Sequence, residues 1–176
     1  MPGRGDIDEA LRFGHEALTI ARTLGDRSIE VVATFFLGFT HLARGEFSDA
    51  VTFLERNVAL EGARRYERFG SIIRSPVSEA HLAVVLSEIG RFDEAIEHAE
   101  VAVRIAEEAD HPFTLCVGLV AHGLAHLCRG DLPRATRVLE RCLDLGRGWQ
   151  FVTQTPRTAA ALGAVYALAG RADEAL

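Results

Sequence analysis

Gly45-Glu46-Phe47-Ser48-Asp49-Ala50 is the most informative stretch of this chain, because its pattern returns four times. Gly5-Asp6-Ile7-Asp8-Glu9-Ala10, Gly90-Arg91-Phe92-Asp93-Glu94-Ala95, Gly130-Asp131-Leu132-Pro133-Arg134-Ala135 and Gly170-Arg171-Ala172-Asp173-Glu174-Ala175 share its frame. The glycines stand at 5, 45, 90, 130 and 170, stepping by 40, 45, 40 and 40 residues. Self-similarity at such a period marks a solenoid of stacked units. Glycine takes the left-handed conformation that ends a helix at little cost. The polar residues after it cap or begin the next helix, and Asp6 to Glu9 has capping-box spacing. The alanine five positions on is small because a neighbouring helix must approach there.

Between these phrases the apolar residues recur with helical period, as in Val32, Phe35, Phe36, Phe39 and Leu42, or Val101, Ile105 and Ala106. Leu37-Gly38 and Leu162-Gly163 sit seven residues before a turn glycine, and Gly123 holds the same place before Gly130. His41, His126 and Tyr166 share one phase, four before the glycine. Leu-Gly, a ring-bearing residue, then Gly-x-Phe-x-x-Ala resembles the tetratricopeptide repeat, and the resemblance covers essentially all of the chain. It implies an all-α fold, a right-handed solenoid of antiparallel helical hairpins. Residues 1–176 are expected to form one such domain of about four hairpins. The repeats exceed the usual 34-residue length. Leu24-Gly25-Asp26-Arg27-Ser28, Phe53 to Leu60 and Ala106 to Pro112 are similar to the C-terminal repeats of bacterial cyclase- or ATPase-linked signalling regulators. No catalytic or nucleotide-binding part of such proteins is present.

The best self-match is at 85 residues (5 to 90, 45 to 130), which implies a double unit. Short turns are expected near Gly25-Asp26 and Asp110-His111-Pro112. Longer connections are expected at roughly 62–75 and 146–155, ending in Ser75-Pro76 and Thr155-Pro156 with proline at the first helical position. Both mix arginine with aromatics: Arg64, Arg65, Tyr66, Arg68, Phe69 and Arg74 in one, Arg147, Trp149 and Phe151 in the other. Insertions at equivalent places fall on one edge of a solenoid, often the binding edge, and these residue types dominate interface energetics. Two readings stand: the aromatics tuck beneath the loops and the arginines are solvated, or Arg64, Arg65, Tyr66, Arg68, Arg147 and Trp149 form a partner-facing ridge.

The resemblance also implies a concave groove lined by the first helix of each hairpin. Its phases fall on Phe35 and Phe39, Ala80 and Val84, Val120 and Leu124, Ala160 and Ala164. The family's carboxylate clamp would put lysine and asparagine there, so a peptide ending in a free carboxylate is not the expected ligand. An apolar groove suits a helix or apolar segment; tighter packing of long repeats would instead close it.

Few constellations suggest chemistry. His122 and His126 lie four apart on a helix, a spacing able to place two imidazoles on one metal. No third ligand is evident in sequence, and the phase His126 shares with His41 and Tyr166 points to packing between helices. His15-Glu16 begins like a zinc-protease motif but lacks its second histidine. Arg4-Gly5-Asp6 and Arg129-Gly130-Asp131 fall at inter-helix turns and are read as turns. No nucleophile, acid, base or phosphate loop converges, so no enzyme, cofactor or metal is expected.

A net charge of −6 argues against nucleic acid, and no apolar run approaches a membrane span. All 19 basic side chains are arginine, a bias that looks like codon usage in a GC-rich bacterium. Three cysteines without CxxC spacing suit a reduced, cytoplasmic compartment. The chain opens on a turn glycine and closes early in a helix, so it reads as truncated at both ends, with self-association through exposed terminal hairpins. The expected role is a protein-protein interaction scaffold or regulatory module of a bacterial signalling protein, binding a protein, a peptide or other domains of its parent. The alternative is a sensor holding a small molecule or peptide in the apolar groove.

Overall fold

The computed structural model describes residues 4–62, 66–70, 72–171 and 173. Eight helices account for nearly all of them: α1 (Arg4–Leu24), α2 (Arg27–Arg44), α3 (Phe47–Glu61), α4 (Arg74–Glu88), α5 (Phe92–Glu108), α6 (Pro112–Arg129), α7 (Leu132–Gly148) and α8 (Gln154–Leu168). Between α3 and α4 lies a small antiparallel pair, β1 (Arg68–Phe69) and β2 (Ile72–Ile73), with Arg68 opposite Ile73 and Phe69 opposite Ile72. Two compact units divide the chain, residues 1–64 and 65–176. Sequential helices pack against each other within each unit, and in the second α4 also packs on α6 and α6 on α8.

The turns obey one rule. Gly25, Gly45, Gly90, Gly130 and Gly170 all have positive φ, and so do Asp110 and Gln150. After each, the next backbone N–H donates back to the carbonyl five residues earlier: Asp26 to Ala21 (2.9 Å), Glu46 to His41 (3.0 Å), Arg91 to Leu86 (2.9 Å) and His111 to Ala106 (3.0 Å). Asp131 to His126 (2.9 Å), Phe151 to Gly146 (2.9 Å) and Arg171 to Tyr166 (2.8 Å) repeat it. This is the Schellman closure, which satisfies carbonyls that a helix end would otherwise leave bare. Its left-handed residues stand 20 apart from 25 to 45 and again through 90, 110, 130, 150 and 170.

That cadence revises the 85-residue double unit. The beat is one helix and turn per 20 residues, and five extra residues enter once, between 45 and 90, where the β pair lies. The connection after α7 is only 149–153, a Schellman turn with a short tail, and is not equivalent to 62–73. Two other expectations shift. Helix α1 already includes Arg4, so Gly5 lies inside its first turn rather than before it. Helices α4 and α8 begin at Arg74 and Gln154, which puts Pro76 and Pro156 at the third helical position. Proline is tolerated there because the first four N–H groups have no intrahelical acceptor.

The small residues do what their positions require. Ala50, Ala95 and Ala135 are completely buried where the second helix of each hairpin starts. A Cβ on Gly38 would stand 2.7 Å from Leu54 Cγ, and one on Gly123 would stand 2.5 Å from Leu139 Cγ. Gly38 and Gly123 are therefore notches in the first helix of their hairpins, each receiving a leucine from the second. In the first unit Leu18, Ala33 and Leu37 form the core, with Leu11 and Phe53 against it. Glu30 ties three helices together through Arg22 (3.3 Å) and Arg56 (2.6 Å). Buried Thr34 donates to Asn57 (2.9 Å), so the polar pair inside is matched. In the second unit Leu139, Leu143, Leu162, Val165 and Tyr166 build one core cluster, and Cys116, Leu119, Val120 and Cys142 another.

The shared phase of His41, His126 and Tyr166 is buried in every case, with the polar end settled differently. His41 stacks on Phe53 (5.3 Å, 8°) and meets Glu46 through Nδ1 at 2.7 Å. Tyr166 donates its hydroxyl to Glu140 at 2.7 Å. His126 turns toward His122.

Candidate functional site

The turn between α5 and α6 organises an edge of the second unit. Asp110 takes φ 47 there, and His111 then caps α6 by accepting from the Thr114 N–H at 3.3 Å through Nδ1. Accepting requires an unprotonated Nδ1. Burial, and then the positive charge of Arg68, hold His111 below its ordinary pKa. Thr114 Oγ1 in turn accepts from the Ile73 N–H at 3.3 Å, which pins β2 to the first turn of α6. From the β-pair side Tyr66 donates to Glu108, at the end of α5, at 2.7 Å. From the other side Phe151 sets its edge against Phe113 (5.3 Å, 85°), and Trp149 lies parallel to Phe151 at 6.3 Å.

Two connections about 80 residues apart in sequence therefore meet at one helix start. They carry the predicted ridge residues with them. Tyr66 is 51% exposed and Trp149 59% exposed, while Arg68 and Arg147 are both exposed. Tyr66 is held through its hydroxyl and Trp149 through its ring, and both remain about half exposed. Phe151 is the residue that tucks beneath, packing against the cluster of Cys116, Leu119, Val120 and Cys142. Arg64 and Arg65 lie outside the described residues. Arg74 is not on the ridge: it is largely buried and pairs with Glu67 at 2.6 Å.

The groove residues divide. In the first unit Phe39 is 45% exposed and Phe35 half-buried, its ring edge-on to the exposed Phe36 at 5.5 Å. In the second unit Val84 is half-buried and Ala80 buried, and the space they line with His81, Val117, Ala121 and Arg157 is about 10 Å³. That is room for about one water. Val120 lines no open surface: it is 1% exposed within the cluster of Cys116, Leu119 and Cys142, and Leu124 packs against the same cluster. The cause is that α6 meets α4, α5, α7 and α8, which leaves little of its circumference open. Ala160 and Ala164 are exposed on α8.

A second opening, absent from the sequence reading, lies between α5, α6 and α7. It encloses about 420 Å³ and is lined by His122, His126, Glu100, Arg129, Arg134 and Arg137 together with two aliphatic side chains. His122 and His126 bring their Nε2 atoms to 3.1 Å, and Glu100 Oε1 stands 4.0 Å from His122 Nε2. Burial lowers the pKa of both histidines, and for His122 the neighbouring His126 lowers it further. Arg129 pairs with Asp93 at 2.7 Å and Arg134 with Asp131 at 3.3 Å. Glu100 was missed because it reaches the pair only through the packing of α5 on α6. Elsewhere His41, Glu46 and Asp49 place ligand-type atoms all within 4.8 Å of one another. There the Glu46 carboxylate is already held by His41 and by Arg44 (2.9 Å).

The helical hairpins, their Schellman turns and the Leu-Gly notches define a helical-repeat protein. Sequence models described as tetratricopeptide repeat match residues 31–56, 80–109, 117–141 and 156–176, together more than half of the chain. The chain belongs to the tetratricopeptide-repeat family. The matched segments track α2 with α3, α4 with α5, α6 with α7, and α8. No curated protein matches the sequence. Among solved structures it resembles a putative kinesin light chain of Podosopora anserina with nearly identical TPR-like repeats (21% identity, TM-score 0.73, 97% of this chain and 82% of that one). A Rap protein complexed with Competence and Sporulation Factor is similar at 13% identity and TM-score 0.83, over 97% of this chain and 46% of the other. So is the tetratricopeptide-repeat sensor STAND protein PH0952 of Pyrococcus horikoshii, at 17% identity and TM-score 0.71, over 95% of this chain and 25% of that one. At these identities the likeness is one of fold. No described helix is long and apolar enough to cross a membrane.

Proposed function

We propose that this chain is a non-catalytic protein-interaction scaffold, the regulatory repeat region of a bacterial signalling protein, and that it presents the α5–α6 edge to a protein or peptide partner. The observation that carries this reading is the convergence on one helix start of the two connections that bear Tyr66 with Arg68 and Trp149 with Arg147. Trp149 and Tyr66 are half exposed although each is anchored. An anchored aromatic has little rotamer freedom left to lose, so burying its exposed surface on a partner is inexpensive. Arginine on either side supplies hydrogen-bond forks for carboxylates of the partner. The repeat-sensor domain in the similar STAND protein supports the signalling context. A reducing, cytoplasmic setting agrees with three free thiols.

A photo-crosslinking amino acid placed at 149 or at 66 tests the surface in source cells. The same protein band should be captured from both positions and be absent with the crosslinker at exposed Ala160. Equal capture from position 160, or undiminished capture from position 149 after Tyr66→Ala and Arg68→Gln, would remove the proposal. The sensor reading has its best support in the first unit, at Phe36 and Phe39, because the equivalent space at Ala80 and Val84 is too small for a ligand.

A further inference from the structure

We propose that His122 and His126 of α6, joined by Glu100 of α5, form a binding site for a divalent transition-metal ion of the zinc and cobalt kind. Two zinc–nitrogen bonds of about 2.0–2.1 Å at a tetrahedral centre hold the nitrogens roughly 3.3 Å apart. The observed Nε2 to Nε2 separation is 3.1 Å, so the rings need almost no movement to share an ion. The i, i+4 spacing on one helix places both on the same face, with ring centroids 4.8 Å apart. Glu100 Oε1, 4.0 Å from His122 Nε2, is the third ligand, and its side chain is 60% exposed and so able to swing inward. Two imidazoles and a carboxylate suit this group of metals better than magnesium or calcium, which favour all-oxygen sites.

The alternative use of the pair is a hydrogen bond in which one Nε2–H donates to the other ring. That arrangement keeps His126 only partly satisfied. Its Nδ1 is buried and has no partner among the described residues. With an ion on Nε2 the same Nδ1 must carry a proton and still lacks an acceptor, so the metal is not supported from behind and binding is weaker than at a structural zinc site. The open side of the ion faces the cleft of about 420 Å³. Arg129 and Arg134 are neutralised there by Asp93 and Asp131. Arg137 has no ion-pair partner among the described residues and opposes a bare dication. The remaining coordination positions therefore take an anionic oxygen, such as acetate, facing Arg137.

Cobalt(II) chloride titrated into the full chain in acetate buffer, followed by visible ligand-field absorption, tests this directly. One equivalent should give a spectrum of low-coordinate cobalt with nitrogen ligands, abolished by competing zinc. His122→Ala and His126→Ala should each weaken binding at least about tenfold, Glu100→Gln by a few fold, and Cys128→Ser and His41→Gln not at all. Nickel(II)-induced broadening of ring-proton NMR signals in the unaltered protein is the second measurement, and His122 and His126 should broaden first. Loss of binding in His41→Gln, retention in His122→Ala, or broadening elsewhere first would each overturn the assignment.

Discussion

Gly123→Ala is the sharpest probe of how these hairpins hold together. A Cβ there would lie 2.5 Å from both Cγ and Cδ2 of Leu139, a leucine with no exposed surface. Carbon atoms prefer about 3.5–4.0 Å, so α6 and α7 must part by about 1 Å or Leu139 must leave its rotamer. Cγ is the branch point of that side chain and cannot swing aside alone. Overpacking of this kind costs about 1–3 kcal/mol. Alanine returns about 0.5–1 kcal/mol because glycine is poor in mid-helix. A contact this short puts the overpacking cost in the upper half of its range, about 2–3 kcal/mol. The net loss should therefore be about 1–2.5 kcal/mol, which at a urea m-value of about 2 kcal/mol/M lowers the midpoint by about 0.5–1.2 M. Trp149 is the single tryptophan and lies in the second unit, so its fluorescence reports the unit that holds Gly123. Leu139→Ala alone should cost about 2–5 kcal/mol. The double variant should cost less than the two added, because the new methyl fills part of the vacated space. An unchanged or raised midpoint in Gly123→Ala, or strict additivity with Leu139→Ala, would refute the notch-and-leucine account.

Acidification should weaken the second unit. His81, His111, His122 and His126 all have pKa values lowered chiefly by burial. The unfolded chain therefore binds more protons than the fold does below the ordinary histidine value of about 6.5. Stability should be full above that pH and decline as pH falls through the window beneath it, by at most about 1.4 kcal/mol per pH unit for each histidine. His81→Gln, which can still donate to Val77, should flatten this decline in urea midpoints at several pH values; an equal slope would exclude His81 as a source. Thiol labelling gives a third check. Cys128 is exposed while Cys116 and Cys142 are buried, so a thiol reagent should modify one cysteine in the native protein and three in urea. Because burial and then Glu88 raise the Cys128 pKa, native labelling should be slower than for a free thiol. Rapid modification of all three would contradict the packing of α6 on α7.

Much of the hairpin frame was legible because glycine announces it. Gly45, Gly90, Gly130 and Gly170 all proved to be left-handed turn residues. Asp110 and Gln150 take the same conformation without glycine, so the 20-residue beat was audible only at every other stroke. That is why the sequence showed a 40-residue step, and the 85-residue match is one such step plus the single step of 45. Gly5 carries the same phrase yet sits inside a helix, since a motif of six residues does not specify what precedes it. The residue types of the two connections were legible, but their convergence was not. Nothing local links Tyr66 with Trp149; Thr114 and Phe113 do so through the first turn of α6. Val120 was misplaced because a phase borrowed from one helix pair says nothing of how many neighbours surround α6. Glu100 was invisible for the reason that hides most two-helix sites: its partners are fixed by packing rather than spacing.

The even beat of the turns makes the chain modular in a practical sense. From the turn at Gly90 to the turn at Gly130 is one complete 40-residue hairpin whose ends have the same backbone geometry. Deleting or duplicating such a block keeps the helical phase, but deletion would set Ala83, which stands in the phase of Gly123, against Leu139, so Ala83→Gly would have to accompany it. An insertion of any other length rotates the downstream helices out of phase unless a loop absorbs the remainder. The β pair between α3 and α4 already absorbs five residues in this way, which makes it the natural seam for cutting, grafting or extending the array.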